Sequence, residues 1–236
     1  MPFNRNPAIW LLAIIVTLIV FESTSLDLYF QRFLYFPQTR EWFIDRHNSV
    51  LSFIFYDGLK SFLFTGAAAL LATYYLGKRT PSIIPYRRAL KVILLSLLCA
   101  PLLVVALKST TNTACPRALS LFGGELQYVR LFESYPAKES PSRRQRCFPA
   151  GHASGGFALM SVALLFRRRR YRIGAFVAAA TLGWIMGVYK MAIGDHFFSH
   201  TLISMELSGL VISALNMRLS SKPSLPPIPH QKESIT

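Results

Sequence analysis

The chain is predicted to be an all-α, polytopic membrane protein with about six transmembrane helices and an extended outer loop between the third and fourth. Composition and patterning both point there. Of 236 residues, 52% are hydrophobic and only 16% charged, against about 25% charged in a typical soluble domain. Mean hydropathy is +0.36. Apolar residues fall in long runs, and basic residues cluster at their ends, as topology determinants and contacts to anionic lipid do. The formal net charge is +15, from 26 Lys and Arg against 11 Asp and Glu. In a soluble protein this would suggest nucleic acid, but no recognition motif accompanies it, so nucleic acid is not an expected partner. The lipid bilayer is.

The first span is predicted over Ala8 to Phe21, an uninterrupted apolar run somewhat shorter than the ~20 residues of a full crossing. No small-residue cleavage site follows it; Glu22-Ser23-Thr24 does, which favours an uncleaved span. Residues 25–50 mix aromatic and charged side chains, a composition suited to the headgroup zone. A second span fits Leu51 to Leu76, where the run Gly66-Ala67-Ala68-Ala69 would let helix backbones approach closely. Prolines and basic residues over 78–91 mark a loop. The third span follows over Ala89 to Leu107, with a kink expected at Pro101.

Lys108 to Gly151 is the longest polar interval between spans, and the one with room for loop architecture. The fourth span starts near His152 and ends at Phe166, against Arg167 to Arg170. A fifth is predicted over Ile173 to Val188 and a sixth over Phe197 to Met217. Glu206, inside the sixth, must face other helices or water. Residues 1–220 thus read as one membrane-embedded domain. The Pro- and Ser-rich tail, 221–236, has the composition of a disordered segment.

With a cytoplasmic N-terminus, 14 of the Lys and Arg residues fall on the inner side and 12 on the outer. The two short inner loops are almost purely basic, and this density favours cytoplasmic N- and C-termini. The 108–151 loop, the start of span four and the stretch Lys190 to His200 then share the outer face, periplasmic or extracellular.

Chemistry concentrates on that face. A histidine at the mouth of an apolar span is expensive to place without a function, and His152 stands at one. His196 and His200 are four apart, on one face of any helix that holds both. Such a pair can bind metal, but Phe197-Phe198-Ser199 between them offers no Glu base of the HExxH kind. The other reading is covalent phosphoryl transfer. A neutral imidazole is nucleophilic near pH 7, and a second can protonate the leaving alcohol and then deprotonate water. Cations must gather round the phosphoryl oxygens. Lys108, Lys190, Arg143, Arg144 and Arg146 lie on the required side, and Gly151 could offer backbone N–H groups to an anion. Cys115 and Cys147 share the outer loop, where they would form a disulfide or stay as two thiols. Cys99, inside an apolar run, reads as a small packed residue.

The ordered set resembles the membrane-bound type-2 phosphatidate phosphatase superfamily, whose motifs are Lys-x6-Arg-Pro, Pro-Ser-Gly-His and Ser-Arg-x5-His-x3-Asp. Their counterparts are Lys108-STTNTA-Cys115-Pro116, Pro149-Ala150-Gly151-His152 and Tyr189-Lys190-MAIGD-His196-FFS-His200. Spacing within each motif is kept. Cys115, Ala150, Tyr189, Lys190 and His200 depart from the family residues, as in a divergent branch where Arg143, Arg144, Arg146 or Arg117 replaces lost phosphate contacts. The resemblance implies that His196 attacks phosphorus and that His152 protonates the leaving group and then activates water. Lys108 and Lys190 would hold phosphate, and His200 would orient His196. It implies no metal or other cofactor, and a lipid phosphate as substrate. Transfer to a second lipid, or binding without chemistry, are the alternative readings.

Overall fold

A computed structural model describes residues 6–136 and 141–220; Arg5 and the tail 221–236, expected to be disordered, lie outside the described residues. Helices α1 (Ala8–Ser23) and α2 (Leu26–Arg32) lead into a minimal antiparallel pair, β1 (Tyr35–Phe36) and β2 (Glu41–Trp42). Then come α3 (Ser49–Ser52), α4 (Leu59–Leu76), α5 (Arg87–Thr110), α6 (Gly151–Ala158), α7 (Arg169–Ala192) and α8 (Phe198–Ser220). A π-helical turn, Phe53–Gly58, joins α3 to α4, and a 3-10 stretch, Leu159–Leu165, continues α6.

The protein is all-α and polytopic, and the structure refines the count of about six spans. Among the described residues, four helices are long and apolar enough to cross a membrane: Ser49–Arg79, Ile84–Thr110, Arg169–Ala192 and Phe198–Ser220. The first predicted span qualifies only together with α2, to which it is bent by 75°. The fourth, Gly151–Leu165, is short. Its 8 α-helical and 7 3-10 residues rise about 1.5 and 2.0 Å each, so it reaches ~26 Å against a hydrocarbon core of ~30 Å. The tighter winding of its second half stretches a short sequence toward a full crossing.

Helix α8 is the most enclosed of the four long helices, packed against α1, α5 and α6. The hydroxyls of Ser204 and Ser208 donate to the carbonyls of His200 and Ser204 one turn back, so these polar groups are buried satisfied. Glu206 is 5% exposed and accepts a 2.7 Å hydrogen bond from Thr17 of α1, so it faces protein as required. Helix α4 departs from expectation. None of its residues is buried, and a Cβ added at Gly66 would meet open space, so the small-residue run does not mediate close packing. The close approach lies between α6 and α7, where a Cβ on Gly156 would come within 2.8 Å of the Gly183 Cα. Small residues permit contact between helices, but a partner surface must be there to take it. Helix α5 continues through Pro101.

The aromatic segment after α1 folds back as a cap on one end of the bundle. The Gln31 amide donates to the Met191 carbonyl at 2.9 Å, and the Ile44 N–H to that of Ala192 at 3.2 Å. Both carbonyls lie in the last turn of α7, and that of Met191 also accepts from the Gly194 N–H at 3.0 Å. The Asp27 carboxylate accepts from the Ser199 N–H at 2.9 Å and from the Ser199 hydroxyl, capping the start of α8. The segment expected at the headgroups therefore braces the two helix ends that flank the turn 193–197.

Candidate active site

The site is built on that turn. Helix α7 stops at Ala192, and Gly194 takes the left-handed conformation, φ +76°, typical of a residue just past a helix end. A side chain there would be strained and would strike Trp42, 2.5 Å from an added Cβ. The chain reverses, and the N–H groups of Asp195 and His196 return to the Lys190 carbonyl at 2.8 and 3.3 Å. Lys190, Asp195 and His196 are thereby gathered at the start of α8, whose first turn carries His200.

The long loop brings the other two motifs to the same place. The Thr111 hydroxyl donates to the Phe148 carbonyl at 2.7 Å, the Cys147 N–H to Thr113 at 3.1 Å, and the Gln145 N–H to the Asn112 side chain at 2.8 Å. A disulfide joins Cys115 to Cys147, with Cα atoms 5.2 Å apart. The Ala150 N–H donates to the His200 carbonyl at 3.1 Å, and its own carbonyl accepts from Ser204 at 2.9 Å, which pins the start of α6 to α8. Gly151 and His152 follow in the first turn of α6, and an added Cβ at Gly151 would meet open space. Lys108 sits in the last turn of α5.

Charge is organised around Asp195. Its Oδ2 lies 2.9 Å from Lys190 Nζ, and its Oδ1 pairs with Arg117. Lys108 is close enough to interact electrostatically with both Asp195 and Lys190. His196 is 3% exposed. Burial, followed by the nearby His200, Lys108, His152 and Lys190, holds its pKa well below the ordinary imidazole value, so it is neutral near pH 7. This is the form a nucleophile requires.

Two expectations from the sequence are not met by the geometry. Arg143, Arg144 and Arg146 are all exposed; Arg144 donates to the Ser109 carbonyl, and none of the three makes a hydrogen bond or ion pair with the gathered histidines and lysines. The arginine that does reach them is Arg117, whose backbone N–H donates to the Gly194 carbonyl and ties it to the turn 193–197. The expected hydrogen bond from His196 to His200 is also not formed. Their rings meet edge to face with centroids 5.7 Å apart, while His196 Nδ1 lies 3.7 Å from Cys147 Sγ. Donor atoms of Cys147, His196 and His200 lie within 4.8 Å of one another, a spacing a metal could use. The sulfur, however, is committed to the disulfide and is not a thiolate, which leaves two imidazoles as ligands.

A family model, that of the PAP2 superfamily, matches residues 89–221, from the start of α5 to the end of α8. The chain belongs to the PAP2 superfamily. The matched stretch contains all three motifs. A lipid A 4'-phosphatase from Francisella tularensis subsp. novicida (strain U112) is 31% identical over 140 residues, covering 57% of this chain and 61% of that protein. The chain thus matches about three fifths of that relative's length. No solved structure matches it. Residues outside the PAP2 stretch also reach the site. The ring of Tyr56, in the π-helical turn, lies 4.6 Å from that of His152. The sequence by itself does not single out Asp195 or Tyr56. Asp195 had one legible signal, its place directly before His196; Tyr56 had none, since more than ninety residues separate it from its partner.

Proposed function

We propose that the chain is an integral-membrane phosphatase that hydrolyses a phosphomonoester or diphosphate on a lipid through a phosphohistidine intermediate. The observation that carries this is the convergence of a buried neutral His196 with His152, Lys108, Lys190 and Arg117 at one end of the bundle. In the first step an imidazole nitrogen of His196 bonds to phosphorus while the P–O bond to the lipid breaks, and His152 gives its proton to the leaving oxygen. In the second, His152 takes a proton from water, the water oxygen attacks phosphorus, the P–N bond breaks and phosphate leaves. Lys108, Lys190, Arg117 and the first N–H groups of α6 at Gly151 would hold the phosphoryl oxygens and offset charge developing in the transition state. A phosphate dianion seated beside His152 would supply the countercharge that an imidazolium needs.

A lipid substrate is supported by the surroundings. A cavity of about 400 Å³ adjoins His152 and is walled by Leu63, Leu97, Leu102 and Gly155, with Lys60 and Tyr56 beside the imidazole. The name of the Francisella relative makes lipid A phosphates the first substrates to test. The basic cluster Arg167 to Arg170 lies at the opposite end of α7 from Lys190, which supports a site on the outer face with cytoplasmic termini. The test is phosphate release by purified protein from a panel of lipid phosphates in chelator. We expect release inhibited by vanadate and abolished in His196→Ala, and an acid-labile phosphoenzyme on rapid quench. Full release by His196→Ala would overturn the nucleophile assignment. The missing carboxylate partner for His196 favours one second reading, a lipid-phosphate binder; it predicts binding with no phosphoenzyme.

A further inference from the structure

We propose that Tyr56 is a positioning residue that holds the phosphate-binding Lys190 and the acid/base His152 in register, and so compensates for a lysine where the PAP2 motif has arginine. This rests on the phosphatase reading of the site. An arginine guanidinium is a planar fork that orients itself on phosphate, whereas a lysine ammonium is a point charge on a flexible four-carbon stem. Something outside the ammonium must therefore fix it. On one side the Asp195 carboxylate does so, at 2.9 Å. On the other, Lys190 Nζ lies 4.6 Å from the centroid of the Tyr56 ring, within the range of a cation–π contact. The Lys190 side chain is only 13% exposed, so water does little to weaken that attraction. The same ring lies 4.6 Å from His152, tilted by 49°. One aromatic plate thus touches the cation and the acid/base together.

The local backbone is shaped for this contact. Phe53–Gly58 is wound as a π-helix inside an otherwise α-helical span, a distortion that recurs at functional sites. A Cβ on Gly58 would lie 2.9 Å from the Phe53 carbonyl oxygen, so glycine suits the wide turn. Phe55, beside Tyr56, stacks on Tyr189 at 5.5 Å and fastens the turn to α7 next to Lys190. The Tyr56 hydroxyl makes no hydrogen bond among the described residues, which leaves the ring face as the working part.

The test uses the full chain in detergent and reads the affinity for orthovanadate by calorimetry, beside turnover of a lipid phosphate and the thermal midpoint. Tyr56→Phe should bind vanadate as the wild type does. Tyr56→Leu should bind about 10-fold more weakly, with an unchanged thermal midpoint. In a Lys190→Met background the Tyr56→Leu penalty should vanish, because the ring then has no ammonium to hold. Unchanged vanadate affinity in Tyr56→Leu, equal losses in the Phe and Leu variants, or full additivity with Lys190→Met would each overturn the proposal. Failure of the wild type to turn over any lipid phosphate would overturn the phosphatase reading instead, and vanadate binding would still decide the role of Tyr56.

Discussion

His196 is a neutral imidazole because the fold buries it among other cationic and imidazole groups. An ordinary histidine takes up a proton near pH 6.5, but this one resists, so the unfolded chain binds a proton there that the folded chain does not. Stability contributed by a neutral His196 is therefore present above pH 6.5 and is lost as pH falls from that value toward the lower folded pKa. In NMR of the ring carbons, the resonance lost in His196→Ala should not titrate between pH 5.5 and 7.5; a midpoint near 6.5 would contradict the burial. Arg117 is the cation the structure adds to the site. Arg117→Gln should raise the KM or the vanadate inhibition constant about 10-fold or more, the size expected for a charge-assisted hydrogen bond. Joint replacement of Arg143, Arg144 and Arg146 by alanine should change it less than two-fold in an inhibition assay at moderate salt.

Two glycines separate a contact from a mere possibility of one. A Cβ on Gly183 would fall 2.3 Å from the Phe157 ring, which has no free volume to move into because Phe157 is fully buried. Gly183→Val should destabilise by about 1–3 kcal/mol through overpacking and lower the thermal midpoint. Gly66→Ala, with open space at its Cβ, should be neutral or stabilise by up to about 1 kcal/mol. Helix α8 also depends on a remote cap. Asp27→Ala removes the acceptor of the Ser199 N–H and hydroxyl, and should destabilise by about 1–2 kcal/mol. Hydrogen exchange should show the loss first at the start of α8, next to His200.

Across the molecule, the long loop is held shut by the Cys115–Cys147 disulfide, which spans a sequence separation of 32. Closing a loop of that length removes unfolded-state entropy equivalent to about 3–4 kcal/mol. Non-reducing mass spectrometry should find the two cysteine peptides linked, and Cys115→Ser should lower the thermal midpoint; two freely alkylated thiols would refute the bridge. The linkage joins the first motif to the second, so reduction should also slow phosphate release.

The sequence alone determined the class, because membrane insertion is a one-dimensional requirement: apolar runs with basic ends are read along the chain. It also determined the three motifs, since each keeps its members within one local stretch. Spacing could not decide which cation replaces a missing arginine. Arg117 and the cluster Arg143, Arg144, Arg146 lie on either side of the same loop, and it is the Arg117 hydrogen bond to Gly194 and ion pair with Asp195 that separate them. Nor could it say that a headgroup-like aromatic segment would cap α7 and α8, or that Tyr56 would meet His152. Those contacts join residues far apart in sequence, and they exist only once the helices have packed.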